Sequence, residues 1–416
     1  MYSCTSLTEI NLNLPKLTAI GSYFMQNCTS LAIIDLSHIT ILKNIGHAFM
    51  NNCGLKSIDL SKLTLITEID THFMEKCNSL TTINLPPNLV KIHNYFMNKC
   101  TGLTIINLNL PKLTSIGTSF IKECIGLTTI NFNLPILEII HDDFMYKCTG
   151  LTTINFNLPK LTKIGHDFMN ECTGLTTIEF NLPDLTKINN EFMANCNKLT
   201  TIVFSSPLSN LIEIYSNFME NCSELTKIEL LDLHKLTAIY DNFMKKCGKL
   251  TRIKLSNVNN LTKIGYSFME GCISLTTIDL SNSIQQITPP PATQITPNPT
   301  AKKPSTSIAP PVAQKTPPLV GPPLIIFSTF MKGCSELITI DLSKLTNLTN
   351  IQNNFMEGCT KLTTINLSNL TYLTYIGSDF LKGCNQSITI TCSKKIKEVL
   401  KTNNKKLSSL ITYTLV

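Results

Sequence analysis

Sixteen cysteines and seven histidines are the residues of this sequence with the greatest chemical potential. Cysteines form disulfides, and together with histidine they bind zinc or act as activated nucleophiles. His47, His72 and His166 each precede a cysteine by five or six residues. This spacing is compatible with a Cys-His nucleophile or a zinc site, and the number of cysteines is compatible with a disulfide framework. What positions the cysteines decides between these chemistries.

Fifteen of the cysteines recur at a nearly fixed interval. Their spacings are 23 to 26 residues, apart from one gap of 62. A fixed period in this range indicates a repeat solenoid, in which each coil stacks on its neighbours. The cysteines that define the repeat are Cys4, Cys28, Cys53, Cys77, Cys100, Cys124, Cys148, Cys172, Cys196, Cys222, Cys247, Cys272, Cys334, Cys359 and Cys384.

The repeat favours a structural role for these cysteines. They occupy equivalent positions that face the core, and no Cys-x-x-Cys pair occurs. Thiols one coil apart are close enough to bridge, but their parallel side-chain directions disfavour a disulfide. The three histidines take turn positions that Ser, Asp or Asn hold in other coils. We therefore expect a buried ladder of reduced thiols, with no metal, no cofactor and no catalytic residue.

Each coil contains one short strand with an apolar inner face. Leu, Ile and then Leu or Phe lie three, six and eight residues after the cysteine, as at Leu127, Ile130 and Phe132. Alternation of apolar and polar residues predicts a β-strand, and stacked copies of it predict a parallel sheet. In the return half, all thirteen Met share one slot and fourteen of nineteen Phe share the slot before it. This regularity predicts ladders of identical side chains through the core.

Composition and charge exclude several classes of function. Hydrophobic residues make up 43% of the chain and charged residues 15%. The net charge of +7 comes from the segments 393–416 and 283–323, which carry +5 and +3, so the repeats sum to −1. A nearly neutral solenoid offers no electrostatic stripe for a phosphate backbone. We expect a soluble protein with no nucleic-acid partner, no small-molecule substrate, no signal peptide in this sequence and no integral membrane segment.

The sequence divides into four predicted segments. Repeat coils cover 1–282 and 324–392, and the first of these coils is truncated because Met1 already occupies the Met slot. We expect further coils, and with them an export signal, upstream. The segment 283–323 holds twelve of the twenty Pro residues and is predicted to be a disordered, Pro/Thr-rich insert. Both of its ends belong to one coil, so the sheet should continue beneath it.

The segment 393–416 is predicted to be a basic C-terminal cap or tail. Ser393 is a plausible helix N-cap, and Ile396, Val399 and Leu400 would share one face of the helix that follows. Such a helix would cover the apolar end of the last coil, with its lysines in solvent.

The pattern Ile-Gly-x-x-Phe-Met-x-x-Cys-x-x-Leu-x-x-Ile-x-Leu resembles the BspA-like leucine-rich repeat family, found on the surfaces of bacteria and protozoa. The resemblance covers about 1–282 and 324–392. It implies a leucine-rich-repeat-like parallel β-sheet solenoid of about fifteen coils of 23 to 26 residues. The family usually has Ala then Phe where this chain has Phe then Met, and Ile-Pro where it has Asn-Leu-Pro or Asp-Leu-Ser. The family implies non-enzymatic binding, often adhesion to host or matrix proteins, with a secreted or cell-surface location.

The leading hypothesis is a protein-binding solenoid that uses the outer face of its sheet. Thr and Asn dominate that face, so the places where other residues replace them mark the candidate partner-binding surface. The alternatives are a cytoplasmic scaffold or structural spacer, favoured by the reduced cysteines, and a flat threonine array for carbohydrate or ice. The candidate partner-binding residues are Glu179, Val203, Lys227, Glu229, Arg252 and Lys254.

Overall fold

The computed structural model describes residues 2–280, 322–403 and 411–416. It confirms a parallel β-solenoid with one strand of three to five residues on the front of almost every coil and a strand of two to four residues on the back. The predicted insert 283–323 lies outside the described residues except for its last two. The predicted segment boundaries remain predictions.

The front strands carry the period-two pattern that the sequence predicts. Along Thr153–Asn157, for example, exposed and buried side chains alternate. The front strands are β1 (Glu9–Asn11), β3 (Ile33–Asp35), β5 (Ser57–Asp59), β7 (Thr82–Asn84), β9 (Ile105–Asn109), β11 (Thr129–Asn133), β13 (Thr153–Asn157), β15 (Thr177–Asn181), β17 (Thr201–Phe204), β19 (Lys227–Leu230), β21 (Arg252–Leu255), β23 (Thr277–Asp279), β25 (Thr339–Asp341), β27 (Thr364–Asn366), β29 (Ile388–Cys392) and β30 (Ile411–Leu415).

The back strands form a second parallel sheet, which the sequence did not predict. Twelve of them, from β6 to β28, pair in one continuous ladder, whereas the front ladder is interrupted at several places. The back strands are β2 (Ala19–Ile20), β4 (Asn44–Ile45), β6 (Glu68–Ile69), β8 (Lys91–Ile92), β10 (Ser115–Ile116), β12 (Ile139–Ile140), β14 (Lys163–Ile164), β16 (Lys187–Ile188), β18 (Glu213–Ile214), β20 (Ala238–Ile239), β22 (Lys263–Ile264), β24 (Leu324–Ile326), β26 (Leu348–Ile351) and β28 (Tyr375–Ile376).

The back ladder continues across the long gap in the repeat. Strand β24, which follows the gap, pairs with β22 before it and with β26 after it. The ring of Phe268 likewise stacks on that of Phe330, with centroids 4.8 Å apart. The coils on either side of the gap are therefore direct neighbours.

A column of phenylalanine rings runs through the core. Fourteen rings, from Phe24 to Phe380, stack with centroids 4.8 to 5.8 Å apart and interplanar angles of 2 to 15°. Each ring covers one face of the ring in the preceding coil, so a coil buries its aromatic residue only when a neighbouring coil is present. This column confirms the predicted ladder of identical side chains.

The cysteine ladder joins coils through thiol hydrogen bonds. Cys172, for example, donates its thiol to the carbonyl of Met145 in the preceding coil at 3.2 Å. The carbonyl of Met145 also accepts the backbone N–H of Cys148 within its own coil, so both lone pairs are used. Thirteen cysteines make the intercoil contact, at 2.7 to 3.4 Å.

The segment that carries Phe and Met follows a left-handed backbone pattern. In one coil Asp167, Met169 and Glu171 have φ values of 56, 55 and 59°. The amides of Asn170 and Cys172 donate to the carbonyls three residues earlier, which is the geometry of two successive type II turns. Side chains other than Gly rarely adopt these φ values. Here each of the three left-handed residues donates its N–H to a neighbouring coil, and this bonding offsets the strain.

The C-terminal helix is present where the sequence predicts it. Helix α1 spans Lys394–Asn403, and Ser393 Oγ accepts the amide of Ile396 at 3.4 Å. Ile396 and Leu400 are buried against the last coil. The strand β30 that follows was not predicted; it pairs in parallel with β29 and extends the front sheet.

We expect Phe168→Ala to lower the free energy of unfolding by about 3–5 kcal/mol, because it removes a buried ring from the middle of a stack. Phe168 lies 5.2 Å from the ring of Phe144 and 5.3 Å from that of Phe192. Hydrogen exchange should therefore accelerate in both adjacent coils as well as in its own. The exposed Thr177→Ala variant serves as the control. Loosening confined to a single coil would contradict intercoil stabilisation by the column.

Candidate functional site

The front face presents two columns of outward-facing polar side chains. Residues at equivalent positions of successive strands are in register, as in Thr153 with Thr177 and Thr177 with Thr201. Thr is the first residue of eight of the sixteen front strands, and Asn or Asp is the third residue of ten of them. Because this face is exposed and faces away from the core, its side chains are free to contact a partner.

The structure brings the six predicted residues together on four consecutive front strands. Glu179 on β15 is in register with Val203 on β17. On β19 and β21, Lys227 is in register with Arg252, and Glu229 with Lys254. The six residues form one continuous surface, which we call the substituted patch. Its members are Glu179, Val203, Lys227, Glu229, Arg252 and Lys254.

Charge pairing within the substituted patch is weak. Glu229 and Lys254 have opposite charge and occupy matched positions, while Lys227 and Arg252 place two positive charges side by side. Arg252 Nη2 lies 3.9 Å from Asp279 Oδ2, at the limit of an ion pair. Exposed pairs of this kind contribute at most about 1 kcal/mol to stability. The charges of the patch are therefore available to a partner at little cost to the fold.

Two depressions lie in the front face beside this patch. The larger, which we call the trough, has a volume of about 660 Å³ and crosses β11, β13, β15 and β17. Glu179 and Val203 line the trough. The smaller depression, of about 180 Å³, is lined by Val203, Lys227 and Glu229 among others. Arg252 and Lys254 line neither depression and lie beyond them on β21.

Sequence reasoning missed most of the trough because its lining keeps the common Thr and Asn residues. One signal was available: in the four coils beneath it, Phe replaces Leu at the eighth position after the cysteine. These rings form a second short stack, with neighbouring centroids 4.8 to 5.4 Å apart. The four residues are Phe132, Phe156, Phe180 and Phe204. At the first of these positions the ring is half-buried and lines the trough.

The cysteines have the properties of structural residues rather than reactive ones. All sixteen are free, and fifteen of them are buried. Burial raises the pKa of Cys124 and of Cys196 to about 12 and places the pKa of Cys172 well above its ordinary value. The thiolate is the form that attacks electrophiles and binds metals. At neutral pH these thiols are protonated and inaccessible.

The three histidines near cysteines make other contacts. His47 Nδ1 contacts Thr71 Oγ1, and His72 Nδ1 lies 2.5 Å from Glu75 Oε2. His166 contributes its backbone amide to Asp142 Oδ1 at 2.8 Å. Within the described ranges, no group of three or more His, Cys, Asp or Glu residues is arranged to hold a metal ion. In the same ranges no helix has the length and apolar character needed to cross a bilayer.

Two stacked sheets of short parallel strands, with a repeat of about 24 residues, define a leucine-rich-repeat solenoid. The sequence profile of the BspA type leucine rich repeat region matches residues 1–124, 103–211, 182–290 and 325–414. These matches cover most of the chain, and the protein belongs to this family. The resemblance that the sequence predicts is thereby confirmed.

Three solved structures are similar to part or all of this chain. A leucine-rich repeat protein from Bacteroides ovatus ATCC 8483 is 20% identical and has a TM-score of 0.50, with 100% of this chain and 85% of that chain covered. A leucine rich cell surface protein from Faecalibacterium prausnitzii A2-165 is 22% identical, with a TM-score of 0.34 and coverage of 68% and 81%. The pneumococcal vaccine antigen PcpA is 16% identical, with a TM-score of 0.39 and coverage of 99% and 89%. No curated protein matches the sequence.

The raised thiol pKa values predict a loss of stability at alkaline pH. In the unfolded chain the thiols ionise near pH 8.5, whereas the folded state keeps them protonated up to about pH 12 at Cys124 and Cys196. Their stabilisation is complete below the unfolded pKa and declines as pH rises toward the folded pKa. Above the pKa of the unfolded thiol, each thiol should lower the free energy of unfolding by about 1.4 kcal/mol per pH unit.

Melting at pH 8 and pH 10 would measure this effect. We expect a lower melting temperature at pH 10, and a smaller decrease in the double variant Cys124→Ala with Cys196→Ala. A melting temperature that is equal at both values would mean that the thiols are not protonated ladder members.

Proposed function

We propose that this protein is a non-enzymatic binding solenoid that engages a protein partner through its front face, between β11 and β21. Leucine-rich-repeat solenoids are generally interaction modules and typically lack catalytic activity. The observation that carries the proposal is the coincidence of the substituted patch with two depressions on an otherwise repetitive face. A partner could recognise this region by shape and by charge at once.

The rigidity of the scaffold supports this proposal. The front side chains project from strands whose coils are joined by the phenylalanine column and the thiol ladder, so they lose little freedom on binding. Preorganisation of this kind raises affinity because less entropy is lost in the complex. Thr and Asn supply both donors and acceptors, which suits the polar surface of a folded protein.

We further propose that the partner is a host or matrix protein and that this chain acts in adhesion at the cell surface or after secretion. Support comes from the match to BspA-type repeats, because this resemblance implies adhesion at surfaces. Protease shaving of intact source cells tests the location. If the protease releases peptides of this protein's front strands while the cells remain intact, the result would support adhesion.

A second candidate is a cytoplasmic scaffold or structural spacer. It is favoured by the sixteen free cysteines, since reduced thiols are typical of the cytosol. The thiol hydrogen bonds to methionine carbonyls give these cysteines a role that a disulfide would abolish. In the shaving experiment, peptides that appear only after lysis would support this candidate and exclude surface adhesion.

Charge reversal tests the substituted patch. We expect Arg252→Glu with Lys254→Glu to weaken binding to immobilised matrix proteins by about tenfold, mainly through slower association, because charges at the edge of an interface steer encounter. Surface plasmon resonance at two salt concentrations measures the effect.

The matched control is Lys91→Glu with Lys163→Glu, which makes the same change of net charge on exposed positions of the back sheet. Binding that is unchanged by the front variant, or equally weakened by the back variant, would remove the patch from the interface.

A further inference from the structure

The trough lies over a break in the front ladder. Strand β11 pairs with β9, and β13 pairs with β15, but β11 and β13 share no ladder. In the neighbouring coils the residue before the strand links one coil to the next. The carbonyl of Thr104 accepts both the amide and the hydroxyl of Thr128, at 3.0 and 3.1 Å. The carbonyl of Thr152 accepts the same two groups from Thr176.

Across the break this link is missing. Thr152 donates neither its amide nor its hydroxyl to Thr128, and no donor among the described residues reaches the carbonyl oxygen of Thr128. Thr128 is exposed and lines the trough. The trough therefore contains a main-chain acceptor without a donor in the described ranges, whereas the equivalent carbonyls of the neighbouring coils accept hydrogen bonds.

Two side-chain amide oxygens in the trough also lack a hydrogen-bond donor among the described residues. Asn131 Nδ2 donates to Asn107 Oδ1 at 2.7 Å, away from the break on one side. Asn155 Nδ2 donates to Glu179 Oε2 at 3.3 Å, away from the break on the other side. A carboxylate only accepts hydrogen bonds, so Asn155 must turn its Nδ2 toward Glu179. In the described part of the chain, no donor reaches Asn131 Oδ1 or Asn155 Oδ1.

One formal charge lines the trough, and it is negative. Glu179 is exposed, and within the described residues no Lys, Arg or His nitrogen lies within ion-pairing distance of its carboxylate. The remaining lining is Thr, Asn, Ile, Phe and Val. The trough thus combines an unpaired carboxylate with three uncharged acceptors, and it lacks any cation of its own.

We propose that the trough binds a guanidinium group, presented by an arginine on an extended segment of the protein partner. This inference rests on the proposed function and specifies the chemistry of the partner. Guanidinium carries five donors in a planar fork and no acceptor, so it matches an array of acceptors better than the compact ammonium of lysine does. Its charge pairs with Glu179, and its remaining donors face the amide oxygen of Asn155, which is in register with Glu179 on the adjacent strand. Backbone N–H groups of the extended segment that carries the arginine face Asn131 Oδ1 and Thr128 O, which lie farther along the trough.

A pair of peptides tests the proposal directly. The probe is a fluorescent, end-capped peptide of alternating threonine and arginine, and its partner carries citrulline in place of arginine, which keeps the shape and removes the charge. Fluorescence anisotropy is measured in buffer with EDTA, so that no divalent cation occupies the trough. We expect the arginine peptide to bind at least about tenfold more tightly than the citrulline peptide, because hydrogen bonds to a charged group are the stronger ones.

Two variants locate the site. Glu179→Gln should weaken binding of the arginine peptide by about tenfold and leave the citrulline peptide unchanged. Asp59→Asn is the matched control, because Asp59 occupies the same column of the front face outside the trough; it should change neither affinity. Equal affinity of the two peptides, or an unchanged affinity in Glu179→Gln, would overturn the proposal. The proposal would also be overturned by a neutral oligosaccharide that displaces the arginine peptide and binds the wild type and Glu179→Gln equally. That result would indicate a glycan site.

A third variant separates this proposal from the proposed function. Thr177→Trp fills the trough without changing its charge, and Thr177 is exposed. If binding to matrix proteins is lost in Thr177→Trp but intact in Glu179→Gln, the front face is the interface and the arginine site is wrong. If both variants bind matrix proteins normally, the arginine site is wrong and the trough is not part of the interface.

Discussion

Stacking of each coil on its neighbours is the interaction on which the rest of this structure depends. A coil of about 24 residues buries too few apolar side chains to offset the entropy of ordering its own chain. The missing stability comes from contacts that exist only between coils: two parallel ladders, the phenylalanine column and the thiol bonds to carbonyls. This dependence also explains the left-handed residues. Met169 tolerates a φ of 55° because its amide is bonded to Phe144 of the preceding coil.

The architecture was predictable from the spacing of a few residues. Cysteine recurs at 23 to 26 residues, and the Leu-Ile-Leu pattern after it identifies the front strand. The back sheet was not predictable, since strands of two residues such as Lys163–Ile164 carry no measurable alternation. The left-handed turns were hidden for a related reason. Residues such as Met169 and Glu171 have no preference for positive φ, and only the intercoil hydrogen bonds hold them there. In the last four coils Gly occupies the position before the cysteine, at φ of 75 or 76°, and in four earlier coils Asn occupies it. Gly and Asn are the residues that most readily adopt positive φ, and they were the sequence signal of the turn.

The candidate site was predictable in part. Departures from Thr and Asn identified Glu179, Val203 and the four charged residues of β19 and β21, and the structure places all of them on one surface. The trough beside them was not predictable, because it arises from an interrupted ladder between two strands of ordinary sequence. The acceptor at Thr128 is a main-chain atom, and whether it is free depends on a neighbouring coil. The proposed binding surface thus combines substituted side chains, which the sequence reveals, with irregular stacking, which it does not.

A repetitive frame with one recognition face should contact its partner through the front sheet alone. Site-specific photo-crosslinking tests this expectation most directly. A benzophenone side chain is placed at Thr153 of the front face or at Lys163 of the back face. Each labelled protein is then exposed to matrix-coated surfaces or to source-cell extract. Both positions are exposed, so the label itself is tolerated equally. We expect a discrete adduct with one partner protein from Thr153 and none from Lys163. An adduct from the back face alone, or equal adducts from both faces, would contradict it.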